Sequence, residues 1–330
     1  MIAKERDYPI NIAKLEVLLK RLPQTHPKYK DVQLELYKKT AGFRGEQNTD
    51  YPLSFLSPNQ YYILHDLRLP VEHYYFQIDT LILSKNLLIN LEIKNVAGTL
   101  VFDQDFKQLI KIHEGNEEAI SNPIIQVARQ KLLLEKWLAT KYYSDLPIEN
   151  LIVISNPQTI IKTSPPGLKI PKNIINKDSL PFEISKLEKK YKRELLTDKE
   201  IKKLIRQLKK DHTPTEFDVL TKFQINKNCL IKGIFCPQCK KPSFKRIYGT
   251  WKCSICKYID KYAHIDAIKD YFLLFGREIT NAELREFINF DNIYFISRLL
   301  NKISEESVGK NKGKKYVISE ELFSNSWSKD

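Results

Sequence analysis

The chain has 330 residues, of which 42% are hydrophobic and 28% charged, and its formal net charge is +14. That length exceeds a typical single domain, so two or three domains are expected, each with enough apolar residues for a packed core. No apolar run reaches the length of a membrane helix and the start, MIAKERDYPI, lacks a signal-peptide core, so a cytoplasmic protein without membrane spans is expected.

The positive charge favours a polyanionic partner, although many lysine-rich chains are basic without binding nucleic acid. Residues 11–39 read as helical, since Ile12, Leu15, Leu18, Leu19 and Leu22 recur at helical spacing. Pro23 and Pro27 interrupt this pattern, and Lys30–Thr40 resumes it. Gly42 and Gly45 then suggest a loose entry to a helix that begins near Glu46. By position alone, Glu46 is a carboxylate placed favourably in the dipole field of a helix N-terminus. Tyr61–Leu67 reads as a strand, in which His65 has no second histidine at ligand spacing; His73, in the loop that follows, has none either.

Two apolar runs come next, Phe76–Leu83 and Leu87–Lys94, separated by Ser84-Lys85-Asn86, and a β-hairpin is the economical reading. Strand side chains alternate between faces, so Glu92 and Lys94 share one face while Leu91 and Ile93 share the other. On the first run Gln77 and Asp79 share a face. Ionisable groups inside apolar strands are costly unless paired or bound to a metal. Asp79, Glu92 and Lys94 can converge at one end of the hairpin. Two carboxylates and a lysine suit metal-assisted phosphodiester hydrolysis: the carboxylates hold Mg²⁺, and the amine steadies developing phosphate charge.

Beyond the hairpin, Thr99–Phe102 and Gln108–His113 suggest strands, and Asn122-Pro123 opens a helix. Ile125, Ala128, Leu132, Leu133 and Trp137 mark that helix's expected apolar face. Gln126 and Arg129 lie three apart, so both could face the carboxylates, though Arg129 fits a solvated face at least as well. Leu151–Ser155 is an apolar run, closed by a serine, suited to a buried parallel strand.

The spacing D-x(12)-E-x-K resembles the PD-(D/E)xK nuclease superfamily, and the surrounding words resemble its nuclease-related domain (NERD) family. The segments are GFRGE at Gly42–Glu46, QIDTLIL at Gln77–Leu83, LEIKNVAG at Leu91–Gly98 and NPIIQ at Asn122–Gln126. The resemblance implies a restriction-endonuclease-like α/β core, a helix acid at Glu46, Mg²⁺ (or Mn²⁺) ligands at Asp79 and Glu92, and a catalytic lysine at Lys94. It also implies that Gln126 helps orient the site. Ile78 stands where the superfamily's name has proline.

From Lys186 to Lys210 the chain carries eleven Lys or Arg against four Asp or Glu. Its apolar residues keep a helical rhythm, with Thr197 and Glu200 placed as a capping box. This charge can be a solvated helix face or a contact to a DNA backbone. His212–Glu216 reads as a linker. Two C-x-x-C pairs, Cys236/Cys239 and Cys253/Cys256, are separated by thirteen residues. Four thiolates so spaced close a tetrahedron around a structural Zn²⁺, and the residues between fit the hairpin of a zinc ribbon. Cys229 is left over. Lys240, Lys241, Lys245, Arg246 and Lys252 make DNA contact by the ribbon feasible.

The last part has the rhythm of a winged helix-turn-helix. A helix over Ile265–Phe275 ends at Gly276, Thr280 caps a second, NAELREFI, a third spans Asn292–Ile303, and Val308–Ser319 forms a lysine-tipped wing. That casts Asn292, Tyr294, Ser297 and Arg298 as base or phosphate contacts, and Lys310, Lys312, Lys314 and Lys315 as backbone contacts. A winged helix can instead dock a protein partner. The expected organisation is therefore 1–40 helical, 41–180 nuclease-like, 181–228 a basic connector, 229–262 zinc ribbon and 263–330 winged helix. The fold class is α/β, and the expected function is Mg²⁺-dependent cleavage of DNA. Two alternatives remain, a non-cleaving DNA-binding protein and a transcriptional regulator.

Overall fold

In the computed structural model, which describes residues 1–310, 313–319 and 322, the chain divides into two units. The first comprises Met1–Asp7 and Lys39–Glu216, the second Tyr8–Lys38 and Phe217–Asp330. The expected segment 1–40 is thus shared between the units, and the expected connector 181–228 is split at Glu216. No helix among the described residues is long and apolar enough to cross a membrane.

The chain opens on β1 (Ile2–Lys4), α1 (Ile10–Arg21), the long α2 (Tyr29–Gln47) and one turn of helix, α3 (Asp50–Leu53). Then come β2 (Tyr62–Val71), β3 (Tyr74–Leu83), β4 (Leu88–Lys94), β5 (Thr99–Asp103), β6 (Gln108–His113) and β7 (Asn116–Ile120). Helix α4 (Pro123–Thr140) leads to β8 (Ile148–Ile154), β9 (Ile160–Ser164), β10 (Ile174–Asn176), α5 (Leu180–Lys190) and α6 (Asp198–Asp211).

The first unit is built on a six-stranded mixed sheet of order β1-β2-β3-β4-β8-β10. Strands β2, β3 and β4 are antiparallel neighbours, and the β3–β4 turn matches the sequence reading. The apolar run after α4 is a buried strand parallel to β4, again as expected. One face of the sheet buries Leu64, Ile78, Leu81 and Leu88 against α4 and α6; the other buries Ile89, Leu91, Ile93 and Val153 with Leu180 and Ile184 of α5. A second sheet, order β7-β6-β5-β9, packs Leu100, Phe102 and Leu109 with Val127 of α4 and Ile152 of β8. Helix α6 has the capping box at Thr197 and Glu200, and its apolar stripe, Ile201, Leu204, Ile205 and Leu208, is buried in this unit.

Two expectations fail here, each for a physical reason. Helix α2 does not stop at Gly42 and Gly45 but runs through both, so Glu46 lies next to its last residue rather than in a first turn. Glycine inside a helix costs about 1 kcal/mol against alanine, and packing decides Gly45. A Cβ there would stand 2.2 Å from Asn95 Cβ and 2.9 Å from Ser155 Oγ. Gly45→Ala should therefore destabilise the first unit by about 1–3 kcal/mol despite its better helix propensity, and an unchanged midpoint in urea denaturation would refute this close-packing account.

Helix α4 is the second case. Asn122 caps it and proline opens it, as expected. Its buried stripe, however, is Pro123, Val127, Gln130, Leu134, Trp137 and Leu138. The expected Ile125 and Leu132 are about half exposed, at 49% and 55%. Two interleaved stripes compete on this helix, and the one with glutamine at its centre is buried.

The second unit combines α1 and the first part of α2 with α7 (Val219–Phe223), β11 (Phe244–Ile247), β12 (Thr250–Cys253) and β13 (Ile259–Asp260). After these come α8 (Ala263–Phe275), β14 (Glu278–Thr280), α9 (Asn281–Ile288), α10 (Ile293–Ile303), β15 (Ser304–Val308) and β16 (Lys315–Ile318). Strands β11-β12-β13 form one small sheet and β14-β16-β15 another. Thr280 and Glu283 make the capping box read from the sequence, and Gly276 ends α8. Arg21, fully buried, pairs with Asp270 and stacks 4.1 Å from the ring centroid of Phe287. Trp251 of β12 donates to His264 Nδ1 at 2.9 Å and meets Phe290 and Phe295 edge-on. The β11–β12 hairpin and the C-terminal helices thus share one apolar cluster.

Candidate active site and cysteine cluster

The β3–β4 ladder is regular from the turn as far as Thr80 opposite Leu91, and there it ends. Strand β4 continues along β8 as far as Lys94 opposite Ile154. Beyond Leu91, β4 has lost its partner on one side, and the backbone N–H of Ile93 needs another acceptor. Asp79 supplies it, its Oδ2 accepting that N–H at 2.8 Å. An acid in an apolar strand is therefore placed where the two strands separate.

Glu92 is 2% exposed and carries a donor on each oxygen. Lys94 Nζ donates to Oε1 at 2.7 Å and Gln130 Nε2 to Oε2 at 2.9 Å. Lys94 also donates to Gln126 Oε1 at 3.0 Å. Glu92, Lys94 and Gln126 are thus brought together. Arg129, by contrast, is exposed.

Glu46 reaches the site from the end of α2. A carboxylate at a helix C-terminus is unfavourable, and Arg6 offsets this with a 2.6 Å ion pair to Glu46 Oε2. Arg6 also meets Asp50, His65 Nδ1 and Thr80 Oγ1 at 3.2, 2.8 and 3.3 Å. Burial, with the charges of Arg6 and Lys4, holds the His65 pKa down at about 3, so its ring is neutral. Arginine can only donate, so Nδ1 is the acceptor and Nε2 carries the proton. The Thr80 hydroxyl, 3.0 Å from Nδ1, then donates to it and accepts from Arg6. Sequence reasoning missed Arg6, forty residues before its partner, and found for His65 only that it has no second histidine at ligand spacing.

The carboxylates perturb one another. Burial pushes Glu46 up to about 7, and Asp66 and Glu92 add to this while Arg6 opposes it. Asp79 rises well above the ordinary carboxylate range through burial, reinforced by Glu92 and Glu46 and opposed by the Ile93 N–H and Lys94. Such mutual repulsion is relieved by a cation, and carboxylate oxygens suit a hard ion. Among the described residues, no three acidic side chains bring ligand atoms within 4.8 Å of one another. An ion at Asp79 and Glu92 would complete its shell with water or substrate oxygens, as Mg²⁺ does.

In the second unit, the Sγ atoms of Cys236, Cys239, Cys253 and Cys256 all lie within 4.8 Å of one another. Cys236 Sγ is 3.5 Å from Cys256 Sγ, and Cys239 Sγ is 3.6 Å from Cys253 Sγ. Both distances rule out a disulfide, whose S–S length is about 2.05 Å. They approach the edge of about 3.8 Å that a tetrahedron with 2.3 Å metal–sulfur bonds requires. The four thiols can hold a metal ion, and Cys229 stands exposed and apart.

The residues expected to contact nucleic acid fare unequally. Asn292 caps α10, its side chain accepting the Phe295 N–H at 2.9 Å, and Ser297 Oγ accepts from Asn281 at 2.9 Å. Both side chains are therefore already engaged. Tyr294, 83% exposed, and Arg298 face solvent. Lys310 is exposed, Lys314 lies 3.4 Å from Asn301 Oδ1, and Lys315 pairs with Glu278 at 2.9 Å. Lys312 lies outside the described residues.

Residues 41–155 match the family model described as a nuclease-related domain. No curated protein and no solved structure matches the chain.

Proposed function

We propose that the nuclease-related domain at residues 41–155 makes this chain a Mg²⁺-dependent nuclease acting on DNA. The observation that supports this reading is that, where the β3–β4 ladder ends, Asp79 accepts the N–H of Ile93, the residue between Glu92 and Lys94, whose side chains are hydrogen-bonded to each other. Asp79 and Glu92 would hold the ion, which when bound lowers the pKa of a water and neutralises phosphate charge. Lys94 has three N–H donors, two of them engaged by Glu92 and Gln126, so the third is available to a phosphate oxygen. Gln126 fixes the direction of that amine. Glu46, at about 7, is suited to accept the proton of the attacking water near neutral pH. The water oxygen bonds to phosphorus as the bond to the leaving oxygen breaks, and the leaving oxygen takes a proton from solvent.

A panel of linear, circular, single-stranded and branched DNA, with Mg²⁺ or Mn²⁺, tests this. Cleavage by the wild type should vanish on chelation and in Glu92→Ala. A wild type inert on every substrate, or a Glu92→Ala protein that still cleaves, contradicts the reading.

The four cysteines are assigned to a structural Zn²⁺, since four thiolates leave no open position for a substrate. The order α8, β14, α9, α10, β15, β16 is that of a winged helix-turn-helix, and we assign it to DNA backbone contact. Arg298, Tyr294 and the lysines Lys310, Lys312, Lys314 and Lys315 remain the candidates there. If so, binding should weaken steeply with salt, and replacing Lys310 and Lys314 should flatten the log–log slope by about one unit for each lysine that meets a phosphate. An unchanged slope would move this module to protein docking.

A further inference from the structure

We propose that Gln130 is a positioning residue for Glu92, its side-chain amide, restrained by Asn90, holding the carboxylate in the orientation that binds a divalent cation. This rests on the metal-dependent reading above.

Gln130 is 5% exposed and occupies the centre of the buried stripe of α4, between Val127 and Leu134. A leucine would pack there without needing partners, whereas a buried amide is costly unless every group is bonded. Gln130 is fully bonded. Its Nε2 donates to Glu92 Oε2 and to the backbone carbonyl of Gln77, each at 2.9 Å. Its Oε1 accepts from Asn90 Nδ2 at 3.0 Å. Asn90, fully buried in β4, donates in turn to Asn150 Oδ1 on β8 at 3.1 Å.

The direction of this chain of bonds is fixed. The Gln77 carbonyl can only accept, so the Gln130 atom beside it is the nitrogen, and Asn90 must offer its NH₂ to the other end. If the Gln130 amide turned over, oxygen would face both the carbonyl and the carboxylate. The Gln77 carbonyl and the Glu92 carboxylate thus disfavour that rotation, and the Asn90 NH₂, which donates to Gln130 Oε1, adds to the restraint. The choice of an amide is also telling. A second cation at this place would compete with a metal for the Glu92 charge, while a neutral donor orients the carboxylate and leaves its charge in place. Partners of this kind behind a metal ligand typically change metal affinity or activity by about 10–100-fold when removed.

The test uses Mn²⁺ alone, titrated calorimetrically into the full-length wild type, Gln130→Met and Asn90→Ala, alongside melting curves and cleavage at saturating Mn²⁺. Gln130→Met should bind Mn²⁺ about 10–100-fold more weakly, with most of the cleavage rate recovered at saturation. Asn90→Ala should show a smaller loss, because Gln130 keeps its bonds to Gln77 and Glu92 but loses the donor that restrains its other end. A purely packing role predicts a lower melting temperature with wild-type Mn²⁺ affinity in the folded protein, and that result overturns the proposal. If Gln130→Met does not fold, Asn90→Ala decides by the same criterion. A wild type that binds no Mn²⁺ sinks the metal-dependent reading and this inference with it. Binding by the wild type that neither variant weakens sinks this inference alone.

Discussion

Replacing Lys94 with alanine should slow cleavage by about a hundred- to a thousand-fold, the usual effect of losing one electrostatic stabiliser of a transition state. The ammonium is 2.7 Å from Glu92 Oε1 and 21% exposed, whereas the carboxylate is almost fully buried. Its removal leaves Glu92 with Gln130 as its single neutral donor, so the metal-free variant should also lose stability. That loss should reach up to about 3 kcal/mol, toward the low end for a broken buried pair because the lysine is partly exposed. Mn²⁺ should restore most of it, since the ion takes over as counter-charge. Lys94→Ala therefore differs in kind from Glu92→Ala, which should lose metal affinity and cleavage together. Single-turnover rates and melting curves with and without Mn²⁺ separate the two. A Lys94→Ala protein that cleaves at the wild-type rate would mean that the active site lies elsewhere.

Cys253→Ser should unfold far more than the ribbon that contains it. Zinc bound by such a cluster typically contributes about 10–16 kcal/mol to folding at neutral pH. Trp251, two residues before Cys253, is 1% exposed and belongs to the same apolar cluster as Ile268, Leu284 and Leu300. Freed from its metal, the hairpin would withdraw that indole and open the aromatic group around His264, Phe290 and Phe295. The second unit as a whole should then lose its cooperative transition, while the first keeps its own. Elemental analysis should find one Zn²⁺ per wild-type chain and none in the variant, and near-ultraviolet dichroism should show the loss of ordered tryptophan. Native protein free of zinc, or joined by disulfides among these cysteines, contradicts the assignment.

The parts legible in the sequence were those whose signal is local. Alternation over Phe76–Lys94 gives a hairpin because strand faces repeat every two residues. The capping boxes at Thr197 and Thr280 are complete within four residues, and the two cysteine knuckles within twenty-one. What could not be read depends on distant partners. The place of Glu46 turns on Gly45 being pressed against Asn95, fifty residues later, which keeps α2 helical through a glycine that would ordinarily favour its end. Gln130 was missed because burial was sought among apolar residues, while the buried stripe of α4 has a polar centre. A hint was present: Gln126 and Gln130 are one helical turn apart, so whatever faces Lys94 has a neighbour facing the same strand. For Arg6, which lies outside the matched segment, no local signal existed.

The central position of β4 bears on how the chain is made. Its ladder with β8 joins Leu88 to Ile148 and Lys94 to Ile154, about sixty residues further along. While the ribosome is still adding that stretch, the hairpin can form on its own, but the other side of β4 has no neighbour. Its backbone groups and the row Leu88, Ile89, Leu91 and Ile93 then form an open, largely uncharged strand edge, the kind that pairs with other chains. Fragments ending before Ile154 should consequently be insoluble, and any that begin and end closer around the hairpin more so. The strand that carries Glu92 and Lys94 is thus also an open edge during synthesis, covered on that side only once β8, about sixty residues further along, has been made.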